Sequence, residues 1–244
     1  ELAEGVESIF LGGFVTPQVR ASVGNTYPVI YGSSFARDDN GNILVVDDPS
    51  SPYHGMPQTG APGIIGEVTP DFILGANNTF TFKNISLSSS FEWKQGGSMY
   101  SGDNGLMMYT YGVVTQTENR EETFVYDGYK PDGTPNDIVR GGPNDPGAYQ
   151  TLFDNVLGDI DEAFIFDNSF IKLRDISLKY ALPTRILNKA NVSASVFARN
   201  ILIWTALPNL DPESSNGAGN AMGGFNRFSL PQTTSYGFGL DITF

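Results

Sequence analysis

Near its end the sequence places Tyr236, Phe238, Leu240, Ile242 and Phe244 at every second position, with Gly237, Gly239, Asp241 and Thr243 between them. Side chains along a strand point to opposite faces in turn, so one face of this strand is wholly apolar and the other small or polar. A half-buried soluble sheet accepts that pattern, and so does a wall between lipid and a polar lumen. The ends of soluble domains usually fray, whereas an aromatic at the last position suits a strand that completes a membrane wall. The expectation is the closing strand of an outer-membrane barrel, with those five apolar residues toward lipid.

Composition narrows the choice. No apolar run approaches the roughly 20 residues of a membrane helix, so a helical membrane protein is excluded. Barrel strands escape that test because only alternate residues meet lipid. With no cysteine there is no disulfide framework, thiolate metal site or cysteine nucleophile. A net charge of −13 argues against nucleic acid, whose phosphates demand a basic surface. Residues Glu1 to Gly5 carry neither the charged nor the apolar region of a signal peptide, so the expectation is a mature form or a piece of something longer.

Two hairpins can be read directly. If Lys83-Asn84 is a two-residue turn, Phe82 pairs with Ile85 and Phe80 with Leu87 on one face, and Thr81 with Ser86 and Thr79 with Ser88 on the other. Farther on, Ile176, Leu178, Tyr180 and Leu182 alternate with Asp175, Ser177, Lys179 and Ala181 until Pro183 ends the strand. The chain returns through Val192, Ala194, Val196 and Ala198, alternating with Ser193, Ser195, Phe197 and Arg199, and continues to Trp204, an interface anchor. Lys179 and Arg199 suit faces that meet water.

With the C-terminus on the periplasmic side, the turns at 83–84 and 184–191 are periplasmic and short. The connections at 94–169 and 205–235 are then extracellular and long, the asymmetry expected of outer-membrane barrels. Acidic residues in 94–169 outnumber basic ones by about three to one, which predicts an anionic outer surface. Asp145-Pro146 reads as a helix cap followed by proline at the first helical position, before Tyr149, Leu152, Phe153, Val156 and Leu157 at helical spacing. Asn40-Gly41 predicts a hairpin turn; Gly141-Gly142-Pro143-Asn144 and Asn216-Gly217 predict irregular turns.

The stretch from Ser169 to Pro183, SFIKLRDISLKYALP, resembles a hallmark of the SusC/RagA family of TonB-dependent outer-membrane receptors from Bacteroidetes. So do Ala198 to Trp204, Leu210-Asp211-Pro212-Glu213 and the strand ending in Phe244. Upstream, Tyr27 to Gly32 and Thr69 to Gly75 are similar to the same family, and Val125 to Asn136 is similar to one of its variant loops. The resemblance implies an all-β fold, the C-terminal strands of a 22-stranded antiparallel barrel that encloses an N-terminal plug. It implies import of glycans, or in some members peptides, with a SusD-like surface lipoprotein and energy from TonB. About five membrane strands are legible, too few to close a barrel. The plug and remaining strands must come from the same or another chain.

No catalytic constellation stands out, and neither enzymatic activity nor a cofactor is expected. His54 sits in the loop composition Ser51-Pro52-Tyr53-His54-Gly55. Asp38 to Asn42 lacks the spaced ligands and distal glutamate of a calcium loop and reads as a turn. Asp159, Asp161 and Glu162 offer carboxylates of the kind glycosidases use, but in an acidic loop these read as solvated charges. Gly96-Gly97 and Gly141-Gly142 open no phosphate-binding helix. The alternatives are a carbohydrate-binding or adhesive β-sandwich, which would space its loops evenly, and a secreted hydrolase, which would need an acid, base or nucleophile set. The candidate partner and substrate loop contains Tyr126, Asp127, Tyr129, Asp132 and Asn136. Tyr100, Tyr109 and Tyr111 join Tyr126 and Tyr129 as aromatics suited to stack on sugars or to pack the loops together.

Overall fold

The computed structural model describes residues 5–102, 109–183, 190–216, 223–227 and 229–243. In chain order its strands are β1 (Ser8–Gly13), β2 (Gln18–Ser22), β3 (Val29–Gly32), β4 (Gly63–Glu67), β5 (Phe72–Phe82), β6 (Ile85–Gln95) and β7 (Ser98–Tyr100). They continue with β8 (Thr123–Phe124), β9 (Arg140–Gly141), β10 (Ile165–Asp167), β11 (Phe170–Ala181), β12 (Asn191–Thr205) and β13 (Ser235–Thr243). Two compact units share the chain. The first takes 1–69, 97–166 and 215–229, the second 70–96, 167–214 and 230–244.

The second unit is one antiparallel sheet in the order β13-β12-β11-β6-β5. Its first hairpin has the register that the sequence predicts: Phe82 opposite Ile85, Phe80 opposite Leu87, Thr81 opposite Ser86 and Thr79 opposite Ser88. Lys83 adopts a φ of 53°, the positive angle a two-residue hairpin requires at its first turn position. β11 and β12 pair from Ala181–Ser193 upward, and the Leu182 amide donates to the Val192 carbonyl. Most of the predicted turn at 184–191 lies outside the described residues, as do Gly217 and Phe244.

One irregularity was not anticipated. Between Leu173 and Asp175 strand β11 has one residue more than β6, where the partners are Phe91 and Ser90, while β12 in turn has one residue more than β11, where the partners are Leu202 and Arg199. Arg174 is therefore an extra residue, a β-bulge, and the apolar positions of β11 change from odd (Ile171, Leu173) to even (Ile176, Leu178, Tyr180). Opposite it, Asn200 takes a φ of 52°.

In the first unit, β1 to β4 form a sheet in sequence order. It buries Val19 and Ile30 against Phe225, on which the rings of Phe14 and Tyr100 pack at 5.7 and 5.4 Å. A second core gathers Met56, Ala148, Leu152, Val156, Leu157, Ile160 and Phe164. The helical spacing read over 149–157 therefore holds, as one α-turn at Ala148–Gln150 followed by a π-helical stretch at Thr151–Val156. The predicted cap does not hold. Gly147 precedes the first helical residue, and Asp145 gives its carboxylate to Arg140 Nε (2.7 Å) and the Gly141 amide (3.2 Å) instead. A charged guanidinium offers a stronger hydrogen bond than a neutral amide. At Asn40-Gly41 the turn forms with Gly41 at a φ of 85°, but its flanks are the isolated bridge Arg37–Ile43 rather than full strands.

Candidate functional site

The sheet of the second unit has two chemically opposed faces. Pairing carries one apolar row across all five strands: Phe80, Leu87, Leu178, Val196, Phe238. The next row is Phe82, Ile85, Tyr180, Ala194, Leu240. Trp93, Ile171 and Trp204 align toward the opposite end. Nine aromatics share this face, from Phe91 at 37% exposed to Phe238 at 85%. Large aromatics carry 150–250 Å² each, so the rings alone expose roughly 900 Å². The largest apolar patch of a soluble monomer is about 300–600 Å². Tyr236, Phe238, Leu240 and Ile242 all point to this exposed face, while Gly239 and Asp241 point to the other.

The opposite face is built of hydroxyls and charge. Thr79 and Ser88 lie 3.1 Å apart and Thr81 and Ser86 3.0 Å, oxygen to oxygen. Lys179 pairs with Asp241 at 3.1 Å and Arg199 with Asp175 at 3.4 Å. Phe197 is among the apolar residues on this side, with Ile73, Phe170 and Ile203, and it lies over the bare backbone of Gly237.

Beside the bulge the charges become buried. Lys172 is 3% exposed and donates to Glu213 and, at 3.1 Å, to Gln232 Oε1. Arg174 makes a two-pronged pair with Glu213 and a 2.9 Å contact with Glu92. The Glu213 carboxylate lies below the usual range: partial burial opposes its charge, but hydrogen bonds from Arg174 and Lys172 outweigh it. The sequence does hint at this cluster, since Lys172 and Arg174 are two apart on a strand. Their carboxylate partner, about forty residues away, carries no local signal.

The first unit holds the candidate loop. Tyr129 exchanges backbone hydrogen bonds with Ile43 and Val45, and Asn136 Nδ2 donates to the carbonyls of Tyr126 (2.8 Å) and Gly55 (3.2 Å). Asp132 accepts from the amide and hydroxyl of Thr134, and both bonds hold its carboxyl below the usual range. Tyr126 packs on the helical core, where burial raises its phenol to about 12. Of the five predicted residues, Tyr126, Tyr129 and Asn136 thus shape the loop, while Asp127 and Asp132 face solvent. Among the other tyrosines, Tyr109 stacks on Phe153 at 5.0 Å and Tyr100 packs on Phe225; Tyr111 is exposed.

Two of the three loop carboxylates are structural rather than solvated: Asp161 accepts from the Ser33 amide at 2.9 Å and Glu162 pairs with Arg37, whereas Asp159 is exposed and offers only its backbone carbonyl, to Ser33 Oγ at 2.8 Å. Burial raises the Asp161 carboxyl against the pull of these donors. His54 lies 3.3 Å from the Val46 carbonyl, and Asp38 closes an Asx turn onto Asn40 and Asn42. Among the described residues no group of three or more histidines and carboxylates has metal-binding geometry.

No protein-family model matches the chain. It is 27% identical to TonB-dependent receptor P26 of Formosa agariphila over 96% of its own length and 22% of that protein's. It is 26% identical to TonB-dependent receptor P3 of the same organism over 74% of its length, 17% of that protein's. In fold it is similar to the RagAB peptide importer in its "open-open" state (TM-score 0.57, 18% identity) and its "closed-closed" state (0.55, 17%). It covers 25% of each of those chains. Relatives and fold agree with the two-faced sheet: the chain is similar in sequence to TonB-dependent receptors and in fold to the RagAB importer, and it spans about a quarter of the length of the proteins it matches.

Proposed function

We propose that the second unit is part of an outer-membrane barrel wall, the last five of 22 strands, in a receptor that imports nutrients. The observation that carries this reading is the five-strand apolar face, too large for water, backed by a face of hydroxyls and ion pairs. Lipid covers the first face and a polar lumen the second. On this reading the C-terminus and the Lys83-Asn84 turn lie in the periplasm.

The edges of β5 and β13 carry unpaired backbone groups that hydrocarbon does not tolerate. The rest of the receptor supplies the missing strands and a plug that engages TonB. On the outside, a SusD-like lipoprotein closes over the loops, with Asp127 and Asp132 on the contact surface. The substrate is a glycan or a peptide; the peptide importer among the fold neighbours supports the second. Relatives named as receptors and importers fit a chain that moves its substrate without chemistry. The test is expression of the intact receptor. Heat-modifiable migration from the outer-membrane fraction, and loss of growth on the cognate nutrient when the gene is deleted, are expected. A water-soluble, monomeric product would overturn the reading.

A further inference from the structure

Beyond a place in the wall, the transport reading gives no role to the charges of two of the family-like segments, Phe170 to Asp175 and Leu210 to Glu213, yet they meet at one point. Glu213 takes hydrogen bonds from both Lys172 and Arg174 of β11. Lys172 also donates to Gln232, and the Gln232 amide donates to Asp211 Oδ2 at 2.8 Å. Glu213 stands on the leg leaving β12 and Gln232 on the leg returning to β13. One buried ammonium thus holds both legs of the connection. Asn200 adds a second tie to the returning leg, its side chain donating to the Thr233 carbonyl and its carbonyl accepting from Thr234 Oγ1. Together the legs and β12 flank an open pocket of about 440 Å³, with Lys172, Ile203, Asp211 and Gln232 in its lining.

The same sheet face supplies an internal comparison. Lys179–Asp241 and Arg199–Asp175 join strand to strand, with side chains 37–66% exposed. Exposed pairs of that kind add little. Lys172 and Glu213 are 3% and 20% exposed, and they join a strand to a connecting segment. Desolvating a charge pair costs about what the attraction returns, so such a pair is poor glue. Removing one partner, however, leaves the other stranded. That behaviour suits a contact that selects one arrangement of a segment over others.

We propose that Lys172, Glu213 and Gln232 form a latch that shuts the neck of the 206–234 connection, independently of the strands beneath it. Once it opens, the neck widens that pocket and uncovers the Lys172 ammonium. The latch is a property of the folded chain and stands whether or not the receptor imports.

The test is hydrogen exchange read by mass spectrometry on the intact receptor in detergent, comparing wild type with Glu213→Gln and with Asp241→Asn as control. Glu213→Gln is expected to speed exchange at 206–214 and 230–234 by about tenfold or more, with the β5–β6 hairpin unchanged. Asp241→Asn should leave the neck as it was. Unchanged neck exchange in Glu213→Gln overturns the latch, and so does a rise spread evenly over the sheet. If Glu213→Gln does not assemble, Gln232→Leu removes the ammonium's tie to the returning leg and is read the same way at 230–234. Failure of the receptor to insert in the membrane would instead count against the barrel reading.

Discussion

The ring of Phe197 on β12 occupies the space that a β-carbon on Gly237 of β13 would need, and the two residues are direct partners across the strands. Gly237→Val is therefore expected to destabilise the receptor by about 1–3 kcal/mol through overpacking. The readout is a lower midpoint for loss of heat-modifiable migration. Phe197→Ala should recover part of the loss in the double variant. If it recovers none, the ring is not the obstacle.

Leu240 lies in the row Phe82, Ile85, Tyr180, Ala194, Leu240 and is 62% exposed. Leu240→Arg should cost about 2–4 kcal/mol near the bilayer midplane and close to nothing near an interface. Folding into vesicles across a urea series measures it. Ser195→Arg on the opposite face should be tolerated; equal costs for the two would show that the faces do not meet different solvents.

In the candidate loop, Asn136→Ala removes two side-chain bonds to the carbonyls of Tyr126 and Gly55. Losing them should cost roughly 1–3 kcal/mol locally and expose the 126–136 segment to protease. Asp127→Lys touches neither bond and should lower lipoprotein capture without changing proteolysis. Shortening 127–136 should do both and leave barrel folding intact. Wild-type capture and uptake in the shortened form would make the loop a passive insertion.

Burial raises Asp161, so the folded chain holds this proton more tightly than the unfolded chain does. Stability from this group is complete below the ordinary carboxylate value of 3.8 and is lost as pH rises through the raised folded value. Asp38, Asp132 and Asp145, held down by their hydrogen-bond donors, act in the opposite sense and lose stability as pH falls. Asp161→Asn should therefore steepen the loss of melting temperature on acidification from pH 6 to 3, followed by near-ultraviolet circular dichroism. A parallel pH profile in the variant would contradict this.

What could be read from the sequence follows the reach of each interaction. The Phe82–Ile85 register was legible because a two-residue turn fixes it locally, and the Val192–Ala198 alternation because one face meets a single environment. The bulge left a trace, since Arg174-Asp175 puts two polar residues in succession where alternation requires one apolar. The first unit was hardest to read. Its ties run between Ser33 and Asp161, 128 residues apart, and no local pattern announces them. Asp145 misled because Arg140 competes for the oxygen that a helix amide would have used.

The bulge also makes β11 a strand with two reading frames. Outside Arg174 its odd positions face one solvent, and inside it the even positions do, so the two halves obey opposite parities. Removing that single residue would leave either half correct only by inverting the other. It would turn Ile171 and Leu173 inward and carry Lys172 out with them. A point substitution at Arg174 costs a few hydrogen bonds, whereas a one-codon deletion there rewrites the allegiance of half a strand. Length at this position is therefore held more tightly than identity.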